Sequence, residues 1–220
     1  MIDKSVIAID GPVAAGKSVI GKCVATRLGF RYFDTGVIYR AVAWIVHSHK
    51  IDEIDKLRIE LAASQMQLDL DTENANAVVV NGVSISDELK TQEVTRLSSI
   101  VAALPGVRSA MVSLQRGIIQ RGKVVMVGRD IGTVIAPNAE LKIYLTASVE
   151  SRAKRRVEDL RGQGLAVSFD QVLHETISRD ERDSSRLDSP LVIASDAISI
   201  DNSEMTIEET VDVILERYRI

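Results

Sequence analysis

A parallel α/β fold is what this 220-residue sequence predicts, and three observations carry the prediction. Short apolar runs alternate with stretches of helical periodicity from the first residues onward. Those runs are apolar throughout rather than at every second position, as strands covered on both faces are. The composition, 45% hydrophobic with 26% charged, a net charge of −4 and one cysteine, suits a chain that builds its core without disulfides and is not disordered.

Val6-Ile7-Ala8-Ile9, ending in Asp10-Gly11-Pro12, reads as a buried strand. Lys17 to Leu28 places Val19, Ile20, Cys23, Val24 and Leu28 at helical spacing and stops at Gly29. Phe30 to Phe33 predicts a second strand and Val37 to Val46 a second helix. The rhythm then breaks between about Ser64 and Ser98. Met66 to Asp71 alternates apolar and polar residues, and Val78-Val79-Val80, Asn81-Gly82, Val83-Ser84-Ile85-Ser86 reads as a hairpin, so an antiparallel piece is inserted here. Helices follow over Glu93 to Ala103 and Val107 to Gln120, separated by Pro105-Gly106, then strands over Lys123 to Val127 and Leu141 to Leu145. Ser148 to Arg161 and Ser168 to Arg182 are charged helices joined at Gly162-Gln163-Gly164, with glycines as candidate hinges. A strand, Ala197 to Ile200, and a helix, Thr206 to Tyr218, close the chain.

No apolar run approaches the roughly 20 residues that span a bilayer, and Met1-Ile2-Asp3-Lys4 has no basic leader pattern, so no membrane and a cytoplasmic setting are expected. Mild acidity argues against nucleic acid as a partner. Arginine is uneven, however: seven of eighteen fall between Arg152 and Arg186.

Gly11-Pro12-Val13-Ala14-Ala15-Gly16-Lys17-Ser18 fits G-x-x-x-x-G-K-[ST] between a strand and a helix, the setting such a loop needs. Its glycines let backbone N–H groups turn around phosphate oxygens, and the helix after it, starting with Lys17, Ser18 and Val19, adds the positive end of its dipole. Lys17 is a charge for the β- and γ-phosphates, and the Ser18 hydroxyl suits Mg²⁺. The reading is a nucleoside triphosphate bound with Mg²⁺.

Three further clusters stand beside it. Asp34-Thr35-Gly36 with Arg40, and Gly128-Arg129-Asp130-Ile131-Gly132-Thr133, each follow a strand, where α/β sheets bind ligands. Arg179-Asp180-Glu181-Arg182-Asp183-Ser184-Ser185-Arg186 carries three arginines at helical intervals. Singly, these are ion pairs or a solvated helix face. Together they are better explained by a second anionic substrate and a transferring phosphoryl group.

In their order and spacing these segments, with Thr91-Gln92-Glu93-Val94, Pro105-Gly106-Val107-Arg108 and Pro190-Leu191, resemble the bacterial cytidylate kinases of the nucleoside monophosphate kinase group, nearly end to end. The resemblance implies a P-loop NTPase fold: a parallel sheet flanked by helices, an inserted antiparallel monophosphate-binding subdomain and a helical lid. One domain then divides into a core of 1–63, 98–150 and 187–220, an insert of about 64–97 and a lid of about 151–186. It implies ATP and CMP, and dCMP, as partners of a monomer, with Mg²⁺. Arg40 and Arg129 would hold the CMP phosphate. Ser99, Arg108 and Asp130 would read cytosine with Arg186 nearby, and Thr35, Arg179 and Asp183 would surround the pentose. Arg152 and Arg156 would close over the ATP phosphates, and Lys17, Arg129, Arg179, Arg182 and Asp183 would serve catalysis. The chemistry agrees independently: cytosine has an amino donor beside two acceptors, which one carboxylate and one guanidinium match, whereas uracil leaves buried groups unpaired.

The chain departs from the family at Val127, where an acid is common, at Ala136-Pro137-Asn138 and at Thr35, where serine is common. His47, His49 and His174 lack the company of a metal site, and Cys23 and Trp44 read as packing residues. A kinase for another small acceptor, UMP or shikimate, is the reading beside it; a non-pyrimidine acceptor does not call for Arg108 with Asp130. A non-catalytic nucleotide switch is the other, and it lacks an Asn-Lys-x-Asp signature.

Overall fold

The computed structural model describes residues 5–70 and 78–218; the expected strand end at Asp71 and the opening Met1-Ile2-Asp3-Lys4 lie outside them. Five strands, β1 (Val6–Asp10), β2 (Arg31–Asp34), β6 (Val124–Gly128), β7 (Leu141–Thr146) and β8 (Ile198–Asp201), form one sheet in the order β2-β6-β1-β7-β8, with every pairing parallel. The apolar runs have a direct cause. Val6 and Ala8 join one core and Ile7 and Ile9 the other, and the same alternation separates Val124 and Met126 from Val125 and Val127. A strand in the middle of the sheet needs an apolar side chain at every position because each face is covered.

One face carries α1 (Lys17–Leu28) and α8 (Ile207–Tyr218). The other carries α2 (Gly36–Ser48), α3 (Lys56–Gln65), α4 (Gln92–Val101) and α5 (Pro105–Ile119). Helix α1 ends as its sequence indicates, with Gly29 left-handed at φ 65° and its N–H bonded to carbonyls of the last turn. Pro105 differs from expectation. It occupies the first turn of α5 rather than a gap between helices, a position where its missing N–H costs nothing. The sequence predicts no element over residues 56–65, where the structure has α3. Only Ile59 and Ala63 of α3 are buried, while Leu57 and Leu61 face solvent, which blurs the periodicity that signals a helix. Glu60 on α3 accepts the Gly106 N–H at 2.9 Å and so caps α5 from outside.

The inserted antiparallel piece is a second sheet, β3 (Leu68–Leu70), β4 (Val78–Val80) and β5 (Val83–Ser84), with Asn81 and Gly82 at φ 50° and 81° in its turn. Helices α6 (Val149–Gly162) and α7 (Phe169–Ser184) project with a small core of their own, Ala153, Val157, Leu160 and Val172. Ser148 and Ser168 cap them by accepting the Ser151 and Gln171 amides. Val127 is absorbed into the α1 face, where Gly21 leaves it room. Ala136 is buried in the other core. Among the described residues no single helix is long and apolar enough to cross a membrane.

Candidate active site

The parallel sheet sends the ends of β1, β2 and β6 to one edge, and the loop after β1 turns there into α1. Gly11 can be nothing else: at φ 149° an added Cβ would lie 1.9 Å from the Leu145 carbonyl oxygen. Ala14 and Gly16 take left-handed φ values of 57° and 86°, the backbone a loop of inward-facing amides requires. Asn202, after β8, fixes the loop by donating to the Ala15 carbonyl at 3.1 Å. Lys17 is buried and its Nζ donates to the Pro12 carbonyl at 2.5 Å. Burial, and then Arg129 beside it, push the Lys17 ammonium well below the ordinary lysine range. Ser18 Oγ donates to Asp34 Oδ2 at 2.8 Å, placing a hydroxyl and a carboxylate together at the end of the loop, oxygen donors of the kind Mg²⁺ takes.

Opposite the loop lies a cationic wall. Arg129 Nε donates to Asp183 Oδ2 at 2.8 Å, and Arg186 comes within 3.8 Å of the other Asp183 oxygen. Burial alone would raise the Asp183 carboxyl, but Arg129, Arg186 and Arg179 outweigh it and hold the group below the usual range. Arg179 is brought down to about 10 by burial and then by Arg129. Its Nε, like Arg186 Nη2 and Arg108 Nε, is a buried donor without a hydrogen-bond partner. All three side chains line one cavity, where an anionic ligand would supply the missing acceptor.

A few residues along, Arg108 and Asp130 form a buried ion pair, their side chains 2% and 5% exposed. Arg108 Nη1 also donates to the Ala102 carbonyl at 3.3 Å, and the guanidinium lies 5.6 Å from the centre of the Tyr39 ring.

These groups share one cavity of about 1240 Å³, lined by Val13 to Val19, Thr35, Arg40, Ser99, Arg108, Arg129, Asp130, Arg156, Arg179, Asp183 and Arg186. That is larger than the roughly 300–1,000 Å³ of a typical single-ligand pocket. Four residues singled out from sequence do not line it. Gly11 and Pro12 lie beneath the loop as its support. Arg152 is buried at the base of α6, donating to the Ala147 and Val13 carbonyls and to Asp180 at 2.5 Å. Arg182 faces outward and donates to Ser99 Oγ at 2.9 Å. Thr35 lines the cavity, but its hydroxyl donates to the Val127 carbonyl at 3.0 Å. Arg40 stands 3.9 Å from Asp34.

Sequence reasoning passed over Asp34, Arg155, Asp180 and Asn202. Arg155 donates to Asn202 Oδ1 and to its carbonyl at 3.1 and 2.7 Å, tying α6 to the phosphate loop. Asp180 accepts the Val13 amide at 3.3 Å. Asp34 was legible within its Asp-Thr-Gly motif and Asp180 within the Arg179 to Arg186 cluster; Arg155 and Asn202 carry no local signal.

Known proteins bear on this arrangement. The chain is 43% identical over 213 residues to the cytidylate kinase of Caldanaerobacter subterraneus subsp. tengcongensis, covering 97% of this chain and 94% of that one. It is 42% identical over 217 residues to the cytidylate kinase of Bacillus subtilis, covering 98% and 97%. A shikimate kinase from Bacteroides thetaiotaomicron superposes over 98% of this chain and 99% of its own with a TM-score of 0.50 at 13% identity, a likeness of fold alone. The family model described as cytidylate kinase matches residues 7–220, and with these full-length relatives it establishes that the chain belongs to the cytidylate kinase family.

Proposed function

We propose that this enzyme transfers the γ-phosphoryl group of ATP to both CMP and dCMP, with the loop Gly11 to Ser18 holding ATP and the wall from Arg40 to Arg186 holding the acceptor. An oxygen of the CMP phosphate, anionic at neutral pH, forms the new bond to the γ-phosphorus. The bond from that phosphorus to the bridging oxygen breaks, leaving ADP and CDP. No side-chain nucleophile is needed. Lys17, Arg129 and Arg179 spread their charge over the transferring group. Asp183 keeps Arg129 and Arg186 in place, and Arg40 with Arg129 receives the acceptor phosphate.

Ser18 and Asp34 are the oxygens that would hold Mg²⁺ and its water, and the ion would neutralise charge on the β- and γ-phosphates. Arg156 reaches the donor phosphates from α6. Arg152 and Asp180 brace the loop behind it, and Arg182 orients Ser99 beside the base. The insert of about 64–97 and the lid of about 151–186 close over the two nucleotides and exclude water, which would otherwise accept the phosphoryl group. The enzyme acts as a monomer, with both nucleotides contacted from within one chain.

The observation that carries base selection is the Arg108–Asp130 pair on the cavity wall. The carboxylate accepts the cytosine amino group, and the guanidinium donates to the ring nitrogen and carbonyl oxygen. Uracil reverses two of these polarities.

ADP release measured with ATP and Mg²⁺ against CMP, dCMP, UMP, AMP and shikimate tests the assignment. Turnover with CMP and dCMP, and little with the rest, is expected. Preference for UMP or shikimate would sink it. Asp130→Ala should weaken CMP far more than ATP, and equal losses would assign Asp130 to the phosphate loop instead.

A further inference from the structure

The turn that carries Asp130 is capped from a different strand. Asp130 stands at the N-cap of a short π-helix, Ile131–Ile135, yet its side chain makes no bond to that helix. At such a position an aspartate ordinarily turns back and accepts an amide of the first turn. Here the first amides are already taken. Ile131 N donates to Asp10 Oδ1 at 2.8 Å and Gly132 N donates to Asp10 Oδ2 at 2.7 Å, so one carboxylate at the end of β1 closes both. With these two amides closed, the Asp130 carboxylate meets Arg108 instead.

We propose that Asp10 is a positioning residue for pyrimidine recognition: by occupying the Ile131 and Gly132 amides it keeps the Asp130 carboxylate aimed at Arg108 and the base. The proposal rests on the reading of Asp130 as the group that accepts the cytosine amino group.

Two observations favour this over a purely structural role. Asp10 is 6% exposed, and burial raises its pKa to about 6 even though the Gly132 and Ile131 amides pull it down. Burial thus works against the charged form that closes both amides. Both of its side-chain hydrogen bonds run to the turn that carries Asp130.

Asp10→Asn is nearly isosteric but turns an NH₂ toward one of the two amides, freeing that amide to compete for Asp130. Compared with wild type and with Asp130→Asn, it should raise the KM for CMP about tenfold and narrow the preference for CMP over UMP. The kcat at saturating CMP and the KM for ATP should stay within about threefold, and the melting temperature within about 3 °C. Asp10→Ser, which withdraws the carboxylate without placing an NH₂ there, should give the same split between CMP and ATP.

If Asp130→Asn raises the KM for CMP and neither Asp10 variant does, the positioning role is refuted while base reading stands. If Asp130→Asn leaves CMP untouched, base reading itself is wrong. A loss of melting temperature in both Asp10 variants with equal rises in both KM values would reduce Asp10 to a structural residue and overturn the proposal.

Discussion

Replacing Asp130 by leucine leaves the Arg108 guanidinium 2% exposed with its carboxylate gone. Breaking a buried ion pair from one side costs about 3–5 kcal/mol, because the remaining charge stays desolvated. Two contacts survive in this chain, the Ala102 carbonyl at 3.3 Å and the Tyr39 ring at 5.6 Å. Because these keep the orphaned guanidinium partly compensated, the expected loss lies near the lower end, about 3 kcal/mol. For a chain of this size that is a fall of roughly 6–12 °C in melting temperature. The double variant Arg108→Met with Asp130→Leu replaces both charges by apolar groups, and such exchanges are close to neutral. Its melting temperature should recover most of the loss although CMP turnover stays absent. Thermal melts of the two single variants and the double, without nucleotide, close the cycle. Losses that simply add would show that the two side chains are not coupled, and the argument for a paired base reader would fail with them.

Arg152→Ala removes one side chain from the Val13 and Ala147 carbonyls and from Asp180, so the KM for ATP should rise more than that for CMP in steady-state kinetics. Asp10 also makes a pH signature. With its pKa raised to about 6, the folded chain binds that proton more tightly than the unfolded one, so this group's contribution to stability grows as pH falls from 7.5 to 5. The gain is about 1.4 kcal/mol, or roughly 3–6 °C, and Asp10→Asn lacks it. Melts of both proteins at the two pH values should show the variant losing ground to wild type at pH 5; a constant difference would refute the assignment. Gly11→Ala drives a Cβ against the Leu145 carbonyl and should yield no folded protein bound to ATP, checked by circular dichroism and nucleotide binding.

What sequence disclosed and what it hid follow from the range of the forces involved. The phosphate loop is local, since Gly11, Gly16, Lys17 and Ser18 act through their own backbone and the helix they open, so eight consecutive residues contain the signal. The parallel sheet was legible because a doubly covered strand must be apolar throughout. Helix α3 was not, because Leu57 and Leu61 point outward and contradict its inner face. Arg152 and Arg156 are one helical turn apart and indistinguishable in sequence. Only the packing of α6 shows that one is buried against Val13 while the other faces the cavity. The bonds from Asp10 to Ile131 and Gly132 cross more than a hundred residues, and no spacing rule reaches that far.

The crowding of cations in the cavity has a consequence for the life of the protein. Burial first, and then the charge of Arg129, make Lys17 and Arg179 bind their protons less tightly than usual. A bound phosphate relieves that repulsion, so nucleotides bind the folded chain and not the unfolded one. Ligand at a hundred times its dissociation constant adds about 2.7 kcal/mol of stability. Nucleotide supply is therefore also a supply of folding free energy, and the population of the unfolded chain falls as ligand rises.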